Sequence, residues 1–145
     1  MSFYGYQDCE VPAICEIYSG IKDPKDLYDS LKRIWSVETC APRMRKDWSP
    51  ENPSLGQCTI SAFLVQDIFG GKVYGVPLND GNYHCFNAVD RHVFDITSEQ
   101  FERKLDYTLE YEQFREEHFA KTEKKERYEL LKRRLKEDCE KKRAV

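Results

Sequence analysis

Apolar residues recur at helical spacing in two segments of the first half of the chain. A helix over residues 24–36 is predicted by Asp23, which can cap the first amides, and by Pro24, which suits a first turn. Its apolar face consists of Leu27, Leu31, Ile34 and Trp35. Residues 58–69 are apolar nearly all round and stop at Gly70, which is typical of a buried central helix.

Three short segments after this helix alternate between apolar and polar residues and are rich in strand formers. They cover residues 72–78, 82–89 and 92–97, with turns at residues 79–81 and 90–91. Consecutive strands joined by short turns predict an antiparallel meander. The chain is therefore predicted to be an α+β protein in which a central helix packs on a small antiparallel sheet.

The sequence after the strands predicts two more helices that flank this core. The first begins at Thr97 or Ser98, where residues 97–100 have the spacing of a capping box, and continues to residue 118. Its predicted face consists of Tyr107, Tyr111, Phe114 and His118. The second helix covers residues 122–142 and is highly charged. Its predicted apolar face consists of Tyr128, Leu131 and Leu135.

The length of 145 residues fits one domain that can bury a core without metal or disulfide staples. We divide it into an N-terminal arm at residues 1–20, an α+β core at residues 24–118 and the charged C-terminal helix at residues 122–142. Residues 37–57 contain three prolines and no periodic pattern, which predicts a long loop. Long loops inside compact domains are often functional.

Charge is distributed unevenly along the chain. Residues 121–145 hold 11 Lys and Arg against 6 Asp and Glu, a net of +5, so residues 1–120 carry −8 and the whole chain −3. The acidic body argues against general nucleic-acid binding, whereas the basic C-terminal helix is a candidate surface for a protein partner. No segment has the roughly 18 apolar residues of a membrane span and no secretion signal is apparent, so we expect a cytoplasmic protein without membrane insertion.

Six cysteines are spread along the chain, and in a reducing compartment most of them are expected to be free thiols. The sequence has no Cys-x-x-Cys pair of the kind that binds zinc. His92 and His118 have no partner that spacing selects, so they are predicted to be structural or exposed. We therefore expect neither a metal nor an organic cofactor.

The order of a cysteine, a histidine and an aspartate along these elements predicts a thiol enzyme. Cys58 opens the central helix, where unpaired amides and the helix dipole favour a thiolate. His84 and Asp95 lie on two successive strands and suit a base and its orienting partner. The expected reaction is amide or acyl hydrolysis, or acyl transfer, on a small-molecule or peptide substrate that the sequence does not identify.

The register of the last hairpin decides whether His84 can reach Asp95. If residues 90–91 form a two-residue turn, the pairing that follows places Phe86 opposite Asp95. His84 and Asp95 then lie on the same side as diagonal neighbours, which permits a carboxylate–imidazole hydrogen bond. A turn of odd length would shift the register and put the two side chains on opposite faces.

Residues near the nucleophile are candidates for supporting roles. The Cys58 backbone amide is a predicted oxyanion donor, and the Gln57 side chain is a candidate second donor. Trp48 and Asn52 lie in the predicted loop and are candidates to line a substrate cleft. Cys85 directly follows the candidate histidine, so its side chain is predicted to turn to the other face of the strand as buried packing.

Two other classes of function stay open at this point. A non-catalytic interaction module would bind a partner through residues 37–57 and the basic C-terminal helix, and a buried, unreactive Cys58 would favour it. A metal-binding protein would use Cys58, His84 and Asp95 as three ligands with an open position for water, since all three residue types bind zinc.

Distinctive short motifs are spread along most of the chain. They are Trp48-Ser49-Pro50-Glu51-Asn52-Pro53, Gly56-Gln57-Cys58, Val65-Gln66-Asp67, Gly70-Gly71, His84-Cys85-Phe86-Asn87, Asp95-Ile96-Thr97, Gln100-Phe101 and Arg127-Tyr128-Glu129-Leu130-Leu131. Over residues 30–135 they resemble the YunG-like family of small, uncharacterised bacterial proteins. Cys85 departs from that family's pattern, in which an aromatic residue follows the histidine. The order of Cys58, His84 and Asp95 is also similar to the transglutaminase-like and arylamine acetyltransferase-like branch of the papain-type thiol enzymes. This resemblance implies a papain-like core in which the cysteine helix packs on the sheet.

Overall fold

A computed structural model describes residues 2–143 of the chain. Helices α1 and α2 cover Pro24–Ile34 and Cys58–Phe69, so both helices predicted in the first half are confirmed. The Asp23 side chain accepts a hydrogen bond from the Asp26 amide and caps α1. An acidic cap followed by proline therefore sets the start of α1 by local chemistry alone.

The sheet has four antiparallel strands in the order β3-β2-β1-β4. The strands β1 to β4 are Lys72–Pro77, Tyr83–Val89, His92–Phe94 and Glu112–Gln113. The first three confirm the predicted meander, and Val89 pairs with His92 in the register of a two-residue turn. Helix α2 packs against β2 on one face and against α4 on the other, so the chain has mixed helical and sheet layers.

The segment after β3 does not form the predicted long helix. Residues 98–118 hold a 3-10 turn at Ser98–Gln100, strand β4 and the short helix α3 at Arg115–His118. Thr97 does not cap a helix, because its hydroxyl donates to Asp95 Oδ1 at 3.1 Å. The capping-box prediction is therefore wrong, and β3 also ends three residues earlier than predicted.

The irregular residues 101–111 instead cover the outer face of the sheet. Leu105 is buried with Val76 and Phe86, and the Tyr107 ring packs edge-on against Phe86 with ring centroids 5.0 Å apart. Of the predicted aromatic face, Tyr107 thus packs on the sheet, whereas Tyr111 and Phe114 are exposed. Tertiary packing overrides the local periodicity here.

Helix α4 covers Thr122–Arg143 and lies along α1 and α2. The predicted apolar face is buried, as is Cys139 at its far end. Arg33 of α1 contacts Asp138 of α4 at 2.9 Å. The N-terminal arm also packs on the core, because the Asp95 amide donates to the Tyr4 carbonyl at 3.0 Å. Within residues 2–143, no helix has both the length and the hydropathy needed to cross a bilayer.

Candidate active site

Cys58 is the first residue of α2 and lies half-buried at the head of the helix. No side chain among the described residues caps α2, so the amides of its first turn stay available to a ligand. The turn before it needs glycine, because Gly56 has a φ of +72° and an added Cβ would collide with the Cys40 thiol and the Ala41 amide. This tight turn fixes where the thiol emerges.

His84 and Asp95 are both buried, each with 1% of its surface exposed. His84 Nε2 lies 2.6 Å from Asp95 Oδ2, which is the contact that the two-residue turn makes feasible. The imidazole also packs edge-on against Phe101, with ring centroids 4.7 Å apart. Because Asp95 occupies Nε2, the other ring nitrogen, Nδ1, remains for a second partner.

The Asp95 carboxylate is held by a set of buried donors. Its Oδ1 accepts hydrogen bonds from the Thr97 amide and hydroxyl, both at 3.1 Å, and its Oδ2 accepts one from the Tyr107 hydroxyl at 2.7 Å. Burial and the carboxylate raise the pKa of Tyr107 well above its ordinary value, so this hydroxyl stays a donor. A buried carboxylate needs such partners to remain charged. Tyr107 was missed by sequence reasoning, which placed it on a helix face.

The Cys58 thiol interacts with His84 and Cys85. Hydrogen bonding to Cys85 lowers the pKa of Cys58 most, and the charge and hydrogen bond of His84 lower it further against the effect of burial, so it lies well below its ordinary value. Burial lowers the pKa of His84, but the Asp95 carboxylate and the Cys58 thiolate outweigh it and raise that pKa. The lowered pKa of Cys58 and the raised pKa of His84 both favour a thiolate–imidazolium pair at neutral pH.

Cys85 does more than the packing that the sequence predicts. Its side chain is buried on the face of β2 that α2 covers, and the Thr59 hydroxyl lies 3.6 Å from its sulfur and 3.8 Å from that of Cys58. Hydrogen bonding to Cys58 and burial raise the pKa of Cys85 well above its ordinary value. Cys85 therefore remains a neutral thiol that can donate to the Cys58 thiolate. All six cysteines are free in the structure.

Cys58 and His84 open onto one cavity of about 620 Å³. Its walls are the head of α2, the β1–β2 turn, the loop at residues 41–44 and the corner between α3 and α4. This enclosure brings the nucleophile, the candidate base and a space for substrate together. A cavity with a few convergent polar groups is the usual form of a small-molecule site.

Three of the predicted supporting residues lie elsewhere. Gln57 is fully buried and its Nε2 donates to the Ser36 carbonyl at 3.0 Å, so this amide holds the start of α2 and is not aimed at the cavity. Trp48 Nε1 donates to the Pro53 carbonyl at 3.0 Å, and Asn52 folds back on its own loop. The Cys58 backbone amide remains as the predicted oxyanion donor.

The part of the cavity wall formed by β4, α3 and α4 carries a polar cluster that sequence reasoning also missed. His118 is half-buried there, with Nε2 2.8 Å from Gln113 Oε1 and Nδ1 2.9 Å from Lys124 Nζ. The predicted helical spacing gave no signal for these contacts, because Gln113 lies on strand β4 and Lys124 on α4. His118 therefore has partners that only the fold supplies.

The residues named for a metal centre do not surround a common point. The Asp95 carboxylate contacts His84 Nε2. Among residues 2–143, no group of three or more His, Cys, Asp or Glu side chains is placed to hold a metal ion. Cys58, His84 and Asp95 therefore do not form a ligand set in this structure.

Fold and site together define an α+β protein in which Cys58 and His84 line one cavity and His84 contacts the buried Asp95. The model of the YunG protein family matches residues 23–140, and the chain therefore belongs to the YunG family. It is 36% identical over 77 residues to the "Uncharacterized protein YunG" of Bacillus subtilis (strain 168), a stretch that is 53% of this chain and 62% of that relative. The match thus spans less than two thirds of the relative's length. No solved structure matches the chain significantly.

Proposed function

We propose that this protein is a cysteine enzyme that hydrolyses or transfers an acyl group, with Cys58 as the nucleophile. The observation that carries the proposal is the buried contact of 2.6 Å between Asp95 and His84, together with the position of Cys58 and His84 on one cavity. Sulfur chemistry needs a thiolate, and a Cys58 pKa well below its ordinary value supports one. A nucleophile, a base and an orienting group are the parts that acyl transfer through a thiol requires.

The reaction follows from these positions. The Cys58 thiolate attacks the acyl carbon and forms a carbon–sulfur bond, and the His84 imidazolium then gives its Nδ1 proton to the leaving amine or alcohol as that bond breaks. Water or another acceptor next attacks the thioester while His84 takes its proton, which releases the acyl product and restores the thiolate. Asp95 keeps its hydrogen bond to Nε2 in every step and so maintains the ring's orientation.

The backbone amides at the start of α2 stabilise the oxyanion in this proposal. Its first amides lack a side-chain cap, and the Cys58 amide lies next to the attacked carbon in any productive complex. The Gln57 side-chain amide donates to the Ser36 carbonyl and not into the cavity. The backbone amides are therefore the chief donors to the oxyanion in this proposal. A helix start also carries a partial positive charge that favours the developing anion.

The resemblance to papain-type enzymes of the transglutaminase-like branch supports the same proposal. That resemblance implies a cysteine helix on a sheet that carries the histidine and the aspartate. In this protein α2 packs on β2, which holds His84, and Asp95 directly follows β3. The correspondence of order and placement argues for thiol chemistry but does not supply a substrate.

The test is the pH dependence of alkylation by iodoacetamide, with modified sites located by mass spectrometry. Wild type is compared with Cys58→Ser and His84→Ala, and the buried Cys9 thiol, whose pKa burial raises to about 12, is an internal reference. We expect selective modification of Cys58 near neutral pH that falls by about a hundredfold in His84→Ala. Equal reactivity of Cys58 and the other thiols would contradict the proposal and favour the interaction module.

A second measurement separates a reactive thiol from an acyl enzyme. Incubation with p-nitrophenyl acetate, an activated ester, should add one acetyl group to Cys58 and release nitrophenolate, as read by intact mass and absorbance. Turnover beyond one equivalent indicates hydrolysis of the thioester. A Cys58 that is alkylated readily but never acetylated would refute acyl chemistry while leaving the thiolate in place.

A further inference from the structure

The wall of the cavity opposite His84 presents a lysine without an acidic partner. Lys124 lies in the first turn of α4, is half-buried and lines the cavity that Cys58 opens onto. Within residues 2–143, no carboxylate contacts its ammonium group. The nearest polar contact is His118 Nδ1 at 2.9 Å.

The protonation of His118 follows from its two neighbours. An ammonium group only donates, so Nδ1 must accept from Lys124, and Nε2 then carries the proton and donates to Gln113 Oε1 at 2.8 Å. Burial and the charge of Lys124 lower the pKa of His118 to about 4, which keeps this ring neutral. His118 therefore positions the ammonium group but does not add charge.

The other charges on the cavity wall are already compensated or exposed. Glu123 contacts Arg127 at 2.5 Å, and Asp80 contacts Arg43 at 3.1 Å. Glu117 and Lys121 lie on the exposed rim. Among the described residues, Lys124 thus lines the cavity without a carboxylate partner.

The surroundings of Lys124 lower its pKa and so disfavour its charged form. Burial lowers the pKa of Lys124 most and the nearby Lys121 lowers it further, whereas the Cys58 and Cys85 thiols act in the opposite direction. A partly buried cation without a directly bonded carboxylate is held at a free-energy cost, because it has lost water without gaining a full ion pair. A bound anion would supply that partner.

We propose that the cavity takes acyl substrates that carry a carboxylate near the acyl carbon, and that Lys124, held by His118 and Gln113, binds this carboxylate. The acyl part rests on the proposed function, whereas the carboxylate site stands on the cavity wall itself. One inward ammonium group matches the single charge of a carboxylate. A phosphate dianion would call for several donors, such as a fork of arginines.

The selectivity of Cys58 between two alkylating reagents tests the site. Iodoacetate and iodoacetamide form the same carbon–sulfur bond and release the same iodide, but iodoacetate alone carries a carboxylate. We expect the ratio of their rates at Cys58 to fall about fivefold in Lys124→Met. Lys125→Met is the matched control, because it removes the same charge from the next, exposed residue of α4, and its ratio should stay at the wild-type value. An unchanged ratio in Lys124→Met overturns the proposal.

A binding measurement separates this proposal from the acyl chemistry. Succinate is titrated into wild type, Lys124→Met and Lys125→Met and followed by two-dimensional amide NMR, with inorganic phosphate as the comparison anion. We expect saturable succinate shifts around His118 and Lys124 that are lost only in Lys124→Met. If these shifts appear while Cys58 is unreactive toward the alkylating reagents, the carboxylate site is supported and the acyl function is refuted. Absent succinate binding, or tighter phosphate than succinate binding, would refute the carboxylate assignment.

Discussion

Two histidines line the same cavity, and their environments act in opposite directions. His84, on β2, is fully buried beside the Asp95 carboxylate, and its pKa is raised to about 10. His118, at the end of α3, is half-buried beside the Lys124 ammonium group, and its pKa is lowered to about 4. One wall therefore carries an imidazolium at neutral pH and the other a neutral imidazole.

The charged neighbours, and not burial, make the two rings different. Burial by itself lowers the pKa of both histidines. At His84 the Asp95 carboxylate and the Cys58 thiolate together outweigh burial, so this ring becomes a charged partner for a thiolate. Lys124 reinforces burial at His118, which becomes a neutral support for a cation. The more buried histidine is consequently the charged one.

The largest expected effect comes from removing the charge that distinguishes the two rings. Asp95→Asn keeps the shape of the side chain but removes the charge that raises the pKa of His84 most, so this pKa should fall from about 10. Alkylation of Cys58 at pH 7 should then slow by about a hundredfold. Asp106→Asn, which alters an exposed carboxylate, is the control. The pKa of His84 is measured by imidazole NMR. A pKa that stays raised in Asp95→Asn would contradict the conclusion that Asp95 makes His84 the charged ring.

The next effect is a pH dependence of stability with opposite signs at the two rings. The folded pKa of His118 is about 4, against 6.5 unfolded, so below pH 6.5 the unfolded chain gains a proton that the folded protein does not, and stability falls. We expect a loss of about 1–2 kcal/mol between pH 6.5 and 4, after allowance for partial exposure. The raised pKa of His84 instead gives stability that is present below its unfolded value and lost as pH rises through about 10.

Urea unfolding of wild type and His118→Gln across this pH range measures the His118 contribution. Glutamine can keep a polar contact but cannot titrate, so the difference between the two free energies of unfolding should shrink as the pH falls from 6.5 to 4. A difference that is constant with pH would mean that Lys124 does not hold the pKa of His118 down.

A smaller effect is expected from the thiol beside the nucleophile. Cys85→Ala removes the S–H group that lowers the pKa of Cys58 most, so the alkylation profile of Cys58 should move to higher pH and its rate at pH 7 should fall about fivefold. The matched control is Cys15→Ala, at a half-buried cysteine of the N-terminal arm. An unshifted profile in Cys85→Ala would assign the low pKa to His84 alone.

The smallest effect concerns the outer support of Asp95. Tyr107→Phe removes one hydrogen bond to the carboxylate and should cost about 1 kcal/mol in the free energy of unfolding, with less than a threefold change in Cys58 alkylation. Tyr111→Phe, at an exposed tyrosine of the same segment, should cost almost nothing. Thermal or urea unfolding of the pair measures the difference, and equal losses would contradict the buried network at Asp95.

Local rules were sufficient for the elements that carry the candidate triad. Asp23 and Pro24 start α1, the apolar run over residues 58–69 forms α2, and the turn at residues 90–91 sets the hairpin register. Register then placed His84 and Asp95 on one side, because side chains alternate strictly along a strand. The contact between them could therefore be predicted before any tertiary structure was known.

The same rules failed where residues distant in the chain compete for one surface. The aromatic residues after Thr97 repeat at helical spacing, yet Phe101, Leu105 and Tyr107 pack against Val76 and Phe86, and this burial stabilises the segment more than a solvated helix would. Gln57 likewise looked available as an oxyanion donor, but the Ser36 carbonyl lies in reach only when α1 ends beside α2.

The sequence by itself thus determined the types of the main elements, the position of Cys58 at a helix start and the shared face of His84 and Asp95. These depend on spacing within one element or one hairpin, where chain geometry leaves few alternatives. The tertiary structure alone decided that Cys85 would meet Cys58, and that Lys124 would lie across the cavity from His84. Electrostatic effects of this kind depend on distance in space, and distance along the chain does not encode it.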